Sequence, residues 1–341
     1  MRSTLNELLS TRPVLLADGA SGTNYFAMGL SSGEPPEFWN LDHPDRVKLL
    51  HQQFVDAGAD IILTNTFGCN RHRLALHKAE NRVYEIAKIA AELAREVADA
   101  APRPVIVAGS VGPTGSLFEP LGALTESEAI EIFTEQIEGL KAGGADVAWI
   151  ETMSAVEEMQ AASRGAIAAG LPYTLTASFD TAGRTMMGLQ PADLADVFTS
   201  MSPAPVAIGA NCGVGASDLL GSVLAMTGRS PDTWHIAKGN CGVPQFKGVE
   251  IVYSGTPDLM GKYATLAAKA GVRIVGGCCG TSPEHLAAMR VALDIHIAEA
   301  STPTDSDDRP SLEDVIATIG PLTNAAPGGP APEARARRRS R

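Results

Sequence analysis

The chain of 341 residues is long enough for one large barrel or two smaller domains, and 45% hydrophobic with 19% charged residues is the make-up of a soluble globular enzyme. Its net charge of −12 argues against a nucleic-acid partner, because phosphate recognition needs a basic face. No stretch approaches the roughly 20 apolar residues that span a bilayer, so no membrane role is expected.

The N-terminal "MRSTLNELLSTRP" lacks the apolar core of a secretory signal, which places the chain in the cytoplasm, where thiols stay reduced. From there, eight apolar runs recur: "PVLLADGA" from 13, "ADIILTNT" from 59, "PVIVAGSVGP" from 104 and "ADVAWIETM" from 145. They continue with "YTLTASFD" from 173, "PVAIGANCG" from 205, "WHIAKGNCG" from 234 and "VRIVGGCCG" from 272. Near-continuous Val, Ile, Leu and Ala is the pattern of parallel strands buried on both faces. Helical spacing lies between them: Val47, Leu50 and Phe54; then Val83, Ile86, Ala90 and Leu93; then Ile130, Phe133, Ile137 and Leu140. Gly58, Gly143 with Gly144, and Gly271 stand just before the next strand, where a left-handed cap stops a helix.

Eight strand-then-helix units predict an α/β fold, a single (β/α)8 TIM barrel over residues 1–300, with an open doubly wound sheet as the alternative. Residues 301–341 are rich in Pro, Ala and polar groups and read as a mostly disordered tail. Within it, "SLEDVIATIGPL" predicts a short helix near 311–320 that docks on the barrel or on a second subunit of a homo-oligomer. The terminal arginine cluster reads as a solvated basic tail on an acidic protein.

The catalytic face of such a barrel is the C-terminal end of its strands. Asp18, Thr64, Asn65, Glu151, Asn211, Asn240 and four of the five cysteines fall there: Cys212, Cys241, Cys278 and Cys279. Adjacent cysteines on a continuing strand point to opposite faces, so packing gives no reason for the pair Cys278–Cys279. A glycine-flanked turn can aim both sulfurs at one ion, and units six and eight are near enough for a third thiol to join. Thiolates suit zinc, and three protein ligands leave the open position of a catalytic site. Since "NCG" occurs at both 211–213 and 240–242, spacing alone leaves Cys212 and Cys241 as rival third ligands. Cys69 has no special claim, and His72 and His77 read as surface residues.

"GGCCG" with an upstream "GANCG", "LLADGASGT" at the start and "ILTNTFGCNRHRL" in the second unit resemble the zinc-dependent homocysteine S-methyltransferase family over residues 13 to about 295. The overall layout is similar to bacterial betaine-type members. The resemblance implies a Zn2+ cofactor on Cys212, Cys278 and Cys279, which are also the catalytic residues, and makes Cys241 a bystander. It implies methyl transfer to the thiol of homocysteine, giving methionine, with a small-molecule methyl donor as second substrate. It further implies that Asp18 and Glu151 bind the substrate ammonium, with Asn211 beside them. The backbone N–H groups of Gly19, Ala20 and Ser21 are candidates for the substrate carboxylate.

For the donor, a quaternary ammonium such as glycine betaine needs aromatic faces. Trp39 matches a donor-site tryptophan of betaine-using relatives, and Tyr25 and Phe67 are further candidates, whereas Phe26 and Phe38 read as cover for the barrel mouth. Gly68 and Thr152 stand where betaine enzymes carry tyrosines, and "TNTFG" is more like the S-methylmethionine and cobalamin-dependent branches. The donor expectation is therefore betaine first, sulfonium donors (S-methylmethionine, dimethylsulfoniopropionate) second and a separate methyl-corrinoid protein third. Two rivals of other classes are a non-catalytic zinc-thiolate buffer or redox sensor, and an aldolase-like barrel using Lys238 as a Schiff-base amine.

Overall fold

All eight apolar runs become strands in the computed structural model, which describes residues 2–242, 244–247, 250–300 and 309–323. The barrel strands are β1 (Leu15–Leu16), β2 (Ile61–Leu63), β3 (Ile106–Val111), β4 (Val147–Met153), β5 (Tyr173–Ala177), β6 (Ile208–Cys212) and β7 (His235–Gly239). A hairpin of β8 (Pro244–Lys247) and β9 (Glu250–Tyr253) intervenes before the last barrel strand, β10 (Val272–Gly277). Every barrel pairing is parallel, in the order β1-β10-β7-β6-β5-β4-β3-β2. The Ala17–Ile61 bridge and the bond from Asp18 N to Ile61 O (3.0 Å) close the ring between β1 and β2. The fold is therefore a single (β/α)8 barrel.

The helices form where the apolar spacing predicts them, at Pro44–Asp56, Val83–Ala100 and Glu126–Ala142. Val47, Leu50 and Phe54 are at most 1% exposed, each removing side-chain surface from water worth about 1.5–3 kcal/mol. Gly58 (φ 101°), Gly144 (φ 96°) and Gly271 (φ 89°) take the left-handed conformation expected of them, whereas Gly143 remains right-handed. The sequence pattern misses the β8–β9 hairpin, and also that the segment between β5 and β6 is the 3-10 stretch Pro191–Phe198 rather than an α-helix.

One end of the barrel is plugged. Thr4 and Glu7 form a reciprocal capping box on the helix Leu5–Thr11. Leu5, Leu8 and Leu9 then join the barrel-interior cluster of Leu15, Ile61, Ile106, Trp149 and Ile274. Arg273, at the start of β10, fastens this segment through bonds to the carbonyls of Leu9, Arg12 and Pro13. At the same end Asp60 accepts Leu16 N (3.0 Å) and lies within 4 Å of Arg12, Arg103 and Arg290. The opposite end, where the strands finish, stays open to build the site.

The helix Leu312–Ile319 docks on the chain's own barrel. Val315 is fully buried, Ser217 Oγ donates to Gly320 O (2.8 Å), and Arg309 reaches Thr227 Oγ1 (2.6 Å). The rest of the tail expected to be disordered, 301–308 and 324–341, lies outside the described residues. No helix among the described residues is long and apolar enough to cross a membrane.

Candidate active site

β6 and β10 both neighbour β7, so Cys212 at the end of β6 meets Cys278 and Cys279 just past β10. The three sulfurs lie within 4.8 Å of one another, with Cys212 Sγ to Cys279 Sγ at 3.9 Å. Tetrahedral thiolate coordination with bonds of about 2.3 Å sets sulfurs about 3.8 Å apart, so the trio fits one soft ion. The turn supplies the geometry. Cys278 N bonds Gly239 O (2.7 Å), Thr281 N bonds Cys278 O (3.0 Å) and Gly280 sits at φ 80°, so the pair no longer alternates across a strand. A Cβ on Gly277 would lie 2.2 Å from Thr281 Cγ2, which is why the strand must end in glycine. Cys212 itself holds φ 61°, a conformation a non-glycine residue keeps only when its surroundings impose it.

Hydrogen bonds among the thiols favour the neutral form at Cys212 and Cys279 and the ionised form at Cys278, while burial and mutual repulsion push all three up. The hydrogen bond with Cys212, followed by burial, pushes Cys279 up to about 11, and Cys212 and Cys278 also move up. Three thiolates at this spacing call for a cation between them. Cys241, 1% exposed, and Cys69, fully buried, stand outside the trio. Of the two "NCG" cysteines, it is Cys212 that the fold brings to the Cys278–Cys279 pair.

Beside the sulfurs runs a cleft of about 710 Å³ whose wall includes Gly19, Ala20, Ser21, Glu151, Thr152 and Lys238. Glu151 accepts Ser110 Oγ (2.5 Å) at one oxygen, and burial pushes its pKa up. Asp18 is not on the wall. It is 1% exposed, with Oδ1 accepting Lys238 Nζ (2.7 Å) and Oδ2 accepting Leu63 N (2.7 Å). Burial favours the neutral amine of Lys238, but Asp18 and then Glu151 outweigh it and hold its pKa above the ordinary 10.5. A Schiff-base amine needs the opposite shift.

Of the three candidate N–H groups, that of Ala20 is engaged by Thr281 O (3.1 Å), and Gly19 and Ser21 line the cleft. Gly19 is required there, since a Cβ would lie 2.6 Å from Thr281 O. Asn211 has its side chain fully occupied. Oδ1 accepts Thr152 N (2.8 Å) and Thr176 Oγ1 (2.6 Å), while Nδ2 donates to Thr152 Oγ1 (2.7 Å) and faces Cys278 Sγ at 3.9 Å. The knot holds Thr152 at φ 62°.

The aromatic expectations are partly displaced. Trp39 (1% exposed) and Tyr25 (fully buried) pack on each other with centroids 5.4 Å apart, inside the core and off the cleft wall. The reason is local: the turn Pro36–Phe38 rolls the short helix Trp39–Asp42 inward, and Trp39 Nε1 donates to Glu34 Oε1 (3.1 Å). Phe67 does line the cleft, and so does Phe26, read from sequence as mere cover. His77, read as a surface residue, is exposed on the same wall with Arg73, while His72 bonds Ser116 Oγ (2.9 Å).

Two further residues escaped sequence reasoning. Glu37 lines the cleft with its carboxylate accepting Gly68 N (2.6 Å), and a Cβ at Gly68 would stand 2.9 Å from Glu37 Oε1. Tyr253 packs over Gly280, next to Cys279. The acidic residue in "PPEFWN" was a visible signal, whereas Tyr253 ends the second strand of a hairpin that no pattern announced.

Comparison with known proteins decides the kinship. The sequence profile of the homocysteine S-methyltransferases matches residues 15–293. The chain belongs to the homocysteine S-methyltransferase family. Among curated relatives, methionine synthase of Mycobacterium tuberculosis (strain ATCC 25618 / H37Rv) is 30% identical over 308 residues, and that of Mycobacterium leprae (strain TN) is 29% identical over the same length. Each alignment covers 85% of this chain and 25% of the relative, so the chain spans about a quarter of the length of these curated proteins. Among solved structures, the homocysteine methyltransferase MmuM from Escherichia coli in its metallated form has the same fold. It superposes with a TM-score of 0.72 at 22% identity over 84% of this chain and 99% of that one.

Proposed function

We propose that this chain transfers a methyl group from an onium donor to the thiol of L-homocysteine, giving methionine, with zinc held by Cys212, Cys278 and Cys279. The observation that carries the reading is the sulfur trio at tetrahedral spacing, opening onto the cleft that Glu151 and Lys238 line. Zinc bound there supplies the Lewis acidity that ionises a thiol near neutral pH.

The chain's own residues do the rest. Glu151 receives the substrate ammonium, a charge-assisted bond that fixes the amino acid end. The N–H groups of Gly19 and Ser21 take its carboxylate, since small residues permit close approach. This directs the sulfur of homocysteine toward the cysteine trio. The donor lies on the wall built by Phe67, Phe26 and Glu37, where ring faces and a carboxylate suit a cation. The methyl carbon leaves the onium nitrogen or sulfur with neither of that bond's electrons and accepts a pair from the substrate sulfur. The donor departs as a neutral amine or thioether, and the thiol proton leaves to solvent.

Glycine betaine is the favoured donor on the betaine-type layout of the sequence. A sulfonium donor is the second reading, favoured by Gly68 in the place of a tyrosine with the Glu37 carboxylate above it. Supplying zinc-loaded protein and homocysteine with betaine, S-methylmethionine or dimethylsulfoniopropionate separates them, with methionine as the readout. Betaine turnover is expected; turnover with a sulfonium alone transfers the proposal to the second donor class. A protein that binds zinc but no homocysteine would be a thiolate buffer instead.

A further inference from the structure

The helix Leu312–Ile319 lies past residue 293, where the match to the family profile ends, yet it is built into the fold. Ser311 and Asp314 cap its start reciprocally. It packs on two helices of the barrel wall, Ala216–Arg229 and Pro257–Lys269, with Val315 fully buried. Near one end Arg309 Nη2 donates to Leu224 O (3.0 Å) and Thr227 Oγ1 (2.6 Å). At the other, Ser217 Oγ donates to Gly320 O (2.8 Å) and Thr323 N donates to Asp218 Oδ2 (2.9 Å). The helix therefore runs antiparallel to Ala216–Arg229.

The second pair of bonds falls at the catalytic mouth, on the first turn of the helix that follows Cys212. Cys212 (φ 61°) and Gly213 (φ 77°) are both left-handed, and such backbone at a non-glycine residue persists only where its surroundings fix it. On the strand side, Cys212 is in register with Gly239 of β7. On the other side the link Gly213–Gly215 has one side chain in three residues, and Asn240 Nδ2 bonds Gly213 O (2.6 Å). Beyond the link stands the helix start that Gly320 and Thr323 fasten. The second support, Pro257–Lys269, packs on β10, which ends beside Cys278. One helix thus braces the elements that carry both arms of the sulfur trio.

We propose that Leu312–Ile319 is a positioning element for the metal site: docked, it holds Cys212 in register with Cys278 and Cys279. This rests on the trio holding zinc. Coupling between two such equilibria is reciprocal, so the factor by which docking tightens zinc is the factor by which zinc tightens docking. A helix that only adds stability to the barrel has no such coupling.

The test has two readouts, neither of them activity. Hydrogen exchange over Leu312–Ile319 in the full chain is compared with zinc bound and with zinc removed by a chelator. Zinc is expected to slow exchange there by about 5- to 100-fold, the usual range of coupling between sites. Val315→Asp, which puts a charge in the buried contact and undocks the helix, should weaken zinc by a similar factor in competition with a chelator of known affinity. Leu9→Ala destabilises the barrel from its plugged end and should leave zinc affinity within about twofold of the wild type. Exchange over Leu312–Ile319 that ignores zinc overturns the proposal, and this arm needs no variant to fold. So does full zinc affinity in an undocked Val315→Asp protein, or an equal loss in Leu9→Ala. A wild type that retains no zinc overturns the metal reading itself, and this one with it.

Discussion

Replacing Asn211 by alanine tests whether the polar knot behind the sulfurs holds the site together. The side chain satisfies three partners at 2.6–2.8 Å: Thr176 Oγ1, Thr152 N and Thr152 Oγ1. Thr176 is fully buried, so its hydroxyl loses its acceptor with no water to replace it, at about 1–3 kcal/mol. Thr152 is half-buried and rehydrates in part, adding about 1 kcal/mol for each of its two bonds. Freed of the knot, Thr152 relaxes from φ 62° and recovers about 1 kcal/mol of strain. The net loss is about 3 kcal/mol. Urea unfolding followed by circular dichroism should show a lower midpoint with an unchanged slope. Thr176→Val is expected to cost about 1 kcal/mol in the wild type and nothing further in the Asn211→Ala background, because the two share one bond. Strict additivity of the two substitutions, or an Asn211→Ala protein within 1 kcal/mol of the wild type, would falsify the account of Asn211 as the knot's centre.

Serine at Cys212, Cys278 or Cys279 should abolish retained zinc after dialysis, whereas Cys241→Ser should keep about one ion per chain; a full complement in Cys279→Ser contradicts the ligand set. His51 is buried and neutral, its pKa lowered by burial to about 4. The unfolded chain takes up this proton first, so the His51 contribution to stability is present above pH 7 and is lost through the interval from 6.5 to 4, about 3 kcal/mol in all. His51→Phe should flatten that acid limb, as urea midpoints at pH 7 and pH 4.5 will show. Gly19→Ala would push a methyl to 2.6 Å from Thr281 O and 2.8 Å from Phe54 Cε1, so a cost of about 1–3 kcal/mol in thermal unfolding is expected, together with weaker homocysteine binding.

The barrel was legible because its signals are local. Each strand run is apolar on both faces, and residues such as Val47 and Phe54 keep a helical period that burial confirms. The sulfur trio was legible for a different reason: two cysteines at one turn have no packing explanation, so chemistry had to supply one. The sequence hid what depends on where a loop turns. Trp39 carries the composition of a donor-site ring, yet the Pro36–Phe38 turn buries it and leaves Phe26 on the wall. The partner of Asp18 lies 220 residues away on β7, a distance over which no pattern in the chain pairs one residue with another. Tyr253 comes to lie over Gly280 only because a hairpin folds back from β7, and its sequence neighbours gave no hint of that return.

The arrangement around Asp60 bears on the order in which the ring is completed. One carboxylate gathers Arg12, which precedes the first strand, and Arg290, from the helix after the last, 230 residues beyond Asp60 itself. A nascent chain therefore cannot fasten this buckle until its eighth unit has come home.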